Sequence, residues 1–228
     1  MNARTLVFAS GSATGGGSGF KNLVETKSVS RPNLAYDIVG VVTHHVNGGV
    51  VQHAQALRIP CTVISPKVSK EEYRFLVEEF DAELVALSGW LRPVVGLPPE
   101  KVINIHPGPL RRFGGHGMYG HHVHEAVIEA FRKGEIRETA MSMHFVDPYI
   151  KTADGDNYDK GPVFAEIPIG IVSDDTADSL GKAVNGMEHM FQPLYTSLVA
   201  EGRIALRQGK VWMENEEWRY GRDLPFTF

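Results

Sequence analysis

The chain has 228 residues, a formal net charge of −4 at neutral pH and a single cysteine. A charge of that sign argues against nucleic acid as the main partner, and one cysteine excludes an internal disulfide framework. No apolar run is long enough to span a membrane and the first residues do not resemble a signal peptide, so we expect a cytoplasmic protein with neither nucleic acid nor membrane as partner.

Apolar runs alternate with helical patterns along the chain. The predicted strands are Thr5–Ala9, Ile38–Val42, Cys61–Ile64, Leu84–Leu87, Val102–Ile105, Thr139–Val146 and Pro162–Ile169. The predicted helices begin near Phe20, Asn47, Ser69, Val123 and Asp174, and the last of them is the longest. Unbroken apolar strands between helices are typical of a parallel sheet covered on both faces. The sequence therefore predicts an α/β fold with a doubly wound, mostly parallel sheet and helices on both faces.

We expect one domain over residues 1–202, followed by a tail over residues 203–228. The tail alternates apolar and polar residues around Ile204, Leu206, Val211 and Met213, which indicates an edge hairpin. Cys61 falls within a predicted strand, so we expect a buried structural thiol and not a nucleophile.

A glycine-rich segment from Gly11 to Gly19 follows the first predicted strand and precedes the first helix. Backbone N–H groups at such a turn form an anion site with the help of the helix dipole. The segment is not a Walker A loop, because Gly17 stands where lysine is required, and Phe20 replaces the third glycine of a dinucleotide fingerprint. We therefore expect the phosphate of a small substrate here. A flexible surface loop is the alternative.

The stretch Val102-Ile103-Asn104-Ile105-His106-Pro107 is the strongest catalytic signal. Positions two apart on a strand share a face, so Asn104 and His106 project together at a strand end. Acyl transfer needs an amide that stabilises an oxyanion and a ring that moves protons. The alternative is a turn asparagine beside a structural loop histidine. Ligands bind at the carboxyl ends of strands in such sheets, so this pair should meet the glycine-rich segment and Ser88–Arg92 at one edge.

Five segments resemble the glycinamide ribonucleotide transformylase family, also called phosphoribosylglycinamide formyltransferases, within the folate-dependent formyltransferase superfamily. They are Leu87–Arg92, Ile103–Pro107, Met143–Val146, Asp159–Pro162 and Glu188–Pro193. Each piece alone is weak, but Asn-x-His-Pro followed by Asp-x-Gly-Pro is specific as a set. The resemblance covers about residues 4–202 and implies that residues 1–202 form a Rossmann-like formyltransferase domain.

The resemblance also implies a reaction. The family moves a formyl group from N10 of 10-formyltetrahydrofolate to the amine of glycinamide ribonucleotide, a step of de novo purine biosynthesis. Its catalytic asparagine, histidine and aspartate match Asn104, His106 and Asp159. Asn104 and a protonated His106 would stabilise the tetrahedral oxyanion. Asp159 would raise the pKa of the histidine and collect the amine proton. No metal is needed.

The same resemblance assigns binding residues. The phosphate would be held by Gly11, Ser12, Gly16, Gly17 and Ser18, and the rest of the ribonucleotide by Gly89, Asn185 and Glu188. Asn185 and Glu188 lie three positions apart on a predicted helix, so they share one face. The pterin of the folate would lie near Trp90, Leu91, Arg92, Val94 and Val146. Trp90 could equally be a core residue.

Three segments depart from the family pattern. The glycine-rich loop is longer, which leaves open which of its amides bind phosphate. The loop before Asp159 is also longer, which suggests a lid and offers Asp147, Asp154 and Asp156 as rival carboxylates. The Gly161-Pro162 pair that follows favours Asp159. Four histidines between residues 116 and 124 suggest a metal site, but they lack a known zinc pattern, so we prefer a glycine-hinged substrate loop.

Two other functions remain open from the sequence. A sugar-nucleotide N-formyltransferase shares the Asn, His and Asp set, and a catalytically silent module that binds folate or nucleotide would keep the same fold. A tRNA formyltransferase is disfavoured because only a short tail follows residue 202. The expected partners are a phosphorylated ribonucleotide and a folate, bound by a monomer or a homodimer.

Overall fold

The computed structural model describes residues 1–12, 15–153 and 155–226, and its centre is a seven-stranded sheet. In chain order the strands are β1 (Ala3–Phe8), β2 (Tyr36–Thr43), β3 (Cys61–Val63), β4 (Leu84–Leu87), β5 (Val102–His106), β6 (Glu138–Phe145), the short pair β7 (Lys151–Thr152) and β8 (Gly155–Asp156), and β9 (Val163–Gly170). The sheet has the order β3-β2-β1-β4-β5-β6-β9. Neighbours from β3 to β5 are parallel, whereas β6 is antiparallel to β5 and β9. The prediction of a mostly parallel sheet is confirmed.

Helices cover both faces of the sheet, as predicted. They are α1 (Ser18–Glu25), α2 (Gly49–Leu57), α3 (Lys70–Glu79), α4 (Leu110–Phe113), α5 (His121–Arg132) and α6 (Ala177–Ala200). Successive residues of β1 point to opposite faces. Val7 therefore joins a core with α1, α2, α5 and α6, while Phe8 joins a second core with α3. None of the described helices is both long and apolar enough to cross a bilayer.

Side-chain caps determine where two of the helices start. Ser69 accepts a hydrogen bond from the backbone N–H of Glu72, whose carboxylate accepts one from the backbone N–H of Ser69, so α3 begins with a capping box. Thr176 caps α6 in the same way. The cap of α1 is Gly17, with φ 82° and no side-chain hydrogen bond. A helix that begins without a side-chain cap is suited to a bound anion.

Several details differ from the sequence-based expectation. Strand and helix ends shift by one to three residues, and a π-helical turn at Thr26–Ser30 extends α1. Cys61 is only half-buried, because β3 is an edge strand. The tail forms a hairpin of β10 (Ile204–Arg207) and β11 (Lys210–Met213), followed by a 3₁₀ turn at Glu216–Tyr220. Within the described residues that hairpin is a separate two-stranded sheet, so it is not an edge of the central one.

Candidate functional site

A cleft of about 810 Å³ opens at the carboxyl ends of β1, β4 and β5, between those strands and α6. Its size is typical of a pocket for a small molecule. The cleft brings together most residues that the sequence singled out. They are Gly11, Ser12, Gly16, Gly17, Ser18, Gly89, Trp90, Leu91, Asn104, His106, Asp159, Asn185 and Glu188. Arg92, Val94 and Val146 line a second, smaller cavity instead.

The glycine-rich loop lies at one end of the cleft, against the N-termini of both α1 and α2. Gly11, Gly16 and Gly17 all have positive φ, the conformation that glycine adopts without strain. The loop is also tightly packed, since a Cβ on Gly16 would lie 2.6 Å from Gly11 Cα. Ala13 and Thr14 fall outside the described residues. A compact glycine loop that leads into the N-terminus of α1 is suited to a phosphate.

Gly89 brings main chain to the floor of the cleft. Its φ is +68°, and a Cβ built on Gly89 would have no atom within 4 Å, so the space beside its Cα is open. Ser10 fixes the turn on both sides, because its N–H donates to Gly89 O at 3.1 Å and its hydroxyl accepts from Leu91 N at 2.9 Å. The backbone of Gly89 is therefore held in place and accessible to a ligand.

Asn104 is oriented by a histidine on the neighbouring strand. The antiparallel register places Asn104 opposite His144, and Asn104 Nδ2 lies 3.0 Å from His144 Nε2. His144 Nδ1 lies 2.9 Å from Phe145 O, so Nδ1 holds the ring proton and Nε2 accepts from the amide. Burial lowers the pKa of His144 to about 4, which keeps the ring neutral. One amide N–H of Asn104 is thereby used, and the other remains for a ligand in the cleft.

His106 and Asp159 form a buried pair next to Asn104. His106 Nε2 lies 2.8 Å from Phe113 O, so Nε2–H donates to that carbonyl and the lone pair is on Nδ1. Nδ1 lies 3.6 Å from Asp159 Oδ2. The other carboxylate oxygen, Oδ1, lies 3.8 Å from His144 Nε2. The carboxylate therefore faces two imidazole rings.

The ionisation of this pair differs from the sequence-based expectation that Asp159 raises the pKa of His106. Burial lowers the pKa of His106 to about 4, against a small opposing effect of its bond to Phe113 O. Burial also raises the pKa of Asp159 to about 6, and the nearby charge of Asp156 adds to that shift. At neutral pH the ligand-free pair is thus a carboxylate beside a neutral ring, because desolvation outweighs the attraction across 3.6 Å.

Asn185 and Glu188 line the opposite wall of the cleft on α6. Their spacing of three residues puts them on one face, and Asn185 Nδ2 donates to Glu188 Oε2 at 3.3 Å. Burial raises the pKa of Glu188 to about 7. A carboxylate in such a position accepts hydrogen bonds from hydroxyl groups of a ligand.

The second cavity adjoins Asn104 and Asp159 from the other side and contains most of the residues expected near the pterin. Trp90 lines both cavities, although it is also a core residue that donates to Tyr73 OH and packs edge-on against Phe8. Arg92 Nε is buried without a hydrogen-bond partner among the described residues, which fits a polar ring that would supply an acceptor. Leu91 lines the main cleft only.

The long loop before Asp159 closes the second cavity. Its β7–β8 hairpin is followed by Asn157 and Tyr158, which line the cavity with Asp147. About 30 Å³ remains there, which is room for a water molecule and not for a pterin ring. A pterin can therefore enter only if this loop moves.

The rival carboxylates of this loop are placed differently. Asp147 lines the second cavity, and Asp156 accepts hydrogen bonds from Tyr149 OH at 3.3 Å and from Tyr158 N at 3.1 Å. Asp154 lies outside the described residues. Asp159 is thus the carboxylate of the described part of the loop that reaches the imidazoles.

The histidine-rich segment divides into exposed and buried rings. His121 and His122 are exposed and lie beside Glu125, whereas His124 is buried and lines the cleft. Gly115, Gly117 and Gly120 have positive φ, so the turns before α5 depend on glycine. No group of three or more potential metal ligands occurs in the parts of the chain that the structure describes.

Three residues of the site were not assigned a role from the sequence. His144 and Gln192 stand inside the quoted motifs, and His124 stands in the histidine-rich segment. Gln192 joins α6 to the end of β4, because its amide lies 3.3 Å from Leu87 O and 3.2 Å from the Ser88 hydroxyl. The cross-strand register that pairs His144 with Asn104 depends on which strands are neighbours, so no local sequence signal identifies it.

Comparisons with known proteins point to one family. A family model described as "Formyl transferase" matches residues 3–196. The chain is 31% identical over 210 residues to the chloroplastic phosphoribosylglycinamide formyltransferase of Arabidopsis thaliana, covering 87% of the chain and 67% of that protein. It is 28% identical over 226 residues to the human trifunctional purine biosynthetic protein adenosine-3, covering 94% of the chain but only 20% of that protein. The crystal structure of phosphoribosylglycinamide formyltransferase from Anaplasma phagocytophilum superimposes with a TM-score of 0.73 at 26% identity, covering 95% of the chain and 96% of that structure.

Proposed function

The chain belongs to the formyl transferase family, and we propose that it moves the formyl group of 10-formyltetrahydrofolate to the amine of glycinamide ribonucleotide in purine biosynthesis. The observation that best supports this proposal is the position of Asn104, His106 and Asp159 in one cleft whose far end is a glycine loop. The cleft thus has a place for a phosphate and a place for acyl chemistry, joined by one continuous space.

Substrate binding follows from the order of groups along the cleft. The phosphate binds to backbone N–H groups between Gly11 and Ser18, at the N-terminus of α1. Glu188 accepts hydrogen bonds from the ribose hydroxyls, and Asn185 donates one to them. The amine then reaches the end of β5, beside Asn104 and His106. Once the loop before Asp159 has moved, the formyl donor approaches from the second cavity, where Arg92, Val94 and Val146 would contact the pterin.

The chemical step forms a bond between the amine nitrogen and the formyl carbon, and later breaks the bond from that carbon to N10. The free N–H of Asn104 donates to the oxyanion that develops in between, and His144 keeps that amide in position. Because His144 uses one N–H of the amide and leaves the other, the donor is fixed before the substrate arrives. No covalent enzyme intermediate is required.

The proton of the attacking amine is collected by the pair of Asp159 and His106. The carboxylate is the base at neutral pH, since its pKa of about 6 leaves it mostly ionised and yet more basic than an exposed aspartate. As the proton arrives, Asp159 and His106 Nδ1 share it, so no carboxylate charge remains beside the oxyanion. The proton leaves on N10 when the carbon–nitrogen bond breaks.

The test is turnover by the purified chain with 10-formyltetrahydrofolate and glycinamide ribonucleotide, followed by the absorbance of the folate product. We expect formylated ribonucleotide in equal amount to the folate released. Release of folate without the formylated product would indicate hydrolysis instead of transfer. No turnover by a folded wild-type chain would refute the proposal and favour a silent binding module.

A sugar-nucleotide amine as acceptor is the second candidate, and the glycine loop together with Glu188 argues against it. We expect the ribonucleotide to be the better substrate by kcat/KM in a direct competition. A cytoplasmic location stays a prediction, as does a monomeric or homodimeric state. Light scattering of the purified chain tests the oligomeric state.

A further inference from the structure

Of the histidines that line the cleft, His121, His124 and His189 have no part in the mechanism above, and His124 is the buried one. His124 lies on α5, is 7% exposed and lines the cleft together with His106. Its Nδ1 atom is buried and has no hydrogen-bond partner among the described residues. A buried N–H without a partner is rarer than a buried acceptor without one, so the ring proton belongs on Nε2. His124 therefore offers one N–H donor, at Nε2.

That donor lies against the wall formed by α6. A Cβ on Gly181 would lie 3.3 Å from His124 Nε2 and 3.0 Å from Cδ2, so this edge of the ring faces the α6 backbone at a position where only glycine leaves room. Gly181 lines the cleft and precedes Asn185 by one helical turn, about 6 Å along the axis. The donor thus lies just beyond the residues proposed to bind the ribose.

On its other side His124 is close to the catalytic pair. The two rings are close enough that repulsion from a positive charge on His124 lowers the pKa of His106. Val123, the preceding residue, is in contact range of Gly108, two residues after His106. The ring of His124 therefore lies between the ribose-binding face of α6 and the residues that meet the amine.

We propose that His124 Nε2–H donates a hydrogen bond to the carbonyl oxygen of the carboxamide that links the ribose to the glycyl group of the substrate. This inference rests on the proposed function, because only a glycinamide ribonucleotide has that group between its ribose and its amine. A neutral donor suits an uncharged acceptor. Burial keeps the imidazole neutral, because it lowers its pKa.

Two substitutions at His124 separate this role from a structural one. The amide nitrogen of glutamine reaches the position of Nε2, whereas that of asparagine reaches only the position of Nδ1. We expect His124→Asn to raise KM for glycinamide ribonucleotide about tenfold with kcat within about threefold, and His124→Gln to stay within about threefold of wild type in both. KM for the folate should not change. His122→Asn, on the exposed face of the same helix, is the matched control and should behave as wild type.

Inhibition by ribose 5-phosphate, which lacks the carboxamide, provides the second measurement. Its inhibition constant should be the same for wild type, His124→Asn and His124→Gln. An inhibition constant that rises together with KM would indicate a distorted cleft and overturn the inference, as would an unchanged KM in His124→Asn. If the wild-type protein turns over substrate and KM is unchanged in His124→Asn, the role of His124 is refuted and the proposed function stands. If the wild-type protein shows no turnover, the proposed function and this inference are refuted together.

Discussion

Replacing Asp159 by asparagine removes the proposed base and leaves the shape of the site nearly unchanged. General acid–base catalysis contributes about 10²–10⁴ in rate, so kcat should fall by a factor in that range. KM for the ribonucleotide should stay within a few-fold, because Asp159 faces His106 and His144 and not the ribose-binding wall. The pKa of about 6 also predicts the pH profile. Wild-type kcat at saturating ribonucleotide should be half-maximal near pH 6 and about tenfold lower at pH 5, since only the ionised carboxylate accepts the proton, whereas protonation of Glu188 acts on KM.

The assay is the initial rate of folate product formation between pH 5 and 8, for wild type, Asp159→Asn and the matched variant Asp147→Asn. Asp147 belongs to the same loop and lines the second cavity but has no imidazole partner among the residues that the structure describes, so its variant should keep the acid limb and most of kcat. Loss of activity in Asp147→Asn with near-normal activity in Asp159→Asn would refute the assignment. An acid limb that persists in Asp159→Asn would show that another group is the base.

Further predictions concern binding and stability. Glu188→Gln should raise KM for the ribonucleotide about tenfold at pH 8 with little change in kcat, because an acceptor of ribose hydroxyls is lost. Gly16→Ala should lower the free energy of unfolding in urea by more than Gly89→Ala, since both have positive φ but only Gly16 has no space for a Cβ. The free energy of unfolding should fall as the pH is lowered from 6.5 to 4, because histidines of the unfolded chain bind protons that the buried neutral rings do not. Asp159 offsets part of this fall, since its raised pKa lets the folded chain bind a proton first. His144→Gln should reduce the fall by about 3 kcal/mol or less. Equal slopes for wild type and His144→Gln would contradict that account.

The fold could be predicted from the sequence because its elements have strong local patterns. The apolar runs in β1, β4 and β5 are unbroken, and Ser69 with Glu72 marks the start of α3. The antiparallel direction of β6 and the separate position of the tail hairpin could not be predicted. Both depend on which strands become neighbours, and alternation along one strand contains no information about its partner.

The candidate site could be predicted in part, for a similar reason. Asn104 and His106 were found because two positions on one strand share a face, and Asn185 with Glu188 because a spacing of three shares a helix face. His144 supports Asn104 across two strands 40 residues apart, and no periodicity relates such positions. The sequence predicts a raised pKa for His106, but burial lowers it, because burial depends on the whole fold and not on the motif.

The direction of those shifts bears on how the site works. A neutral His106 and an ionised Asp159 give the buried pair one negative charge before the reaction. When the attacking amine releases its proton, that charge is neutralised, and a buried site favours the loss of charge. The oxyanion that forms at the same moment then faces Asn104 and a protonated pair, with no uncompensated carboxylate nearby. Desolvation therefore lowers the basicity of His106 and raises that of Asp159. The proton that Asp159 removes from the amine also removes the negative charge that would repel the oxyanion.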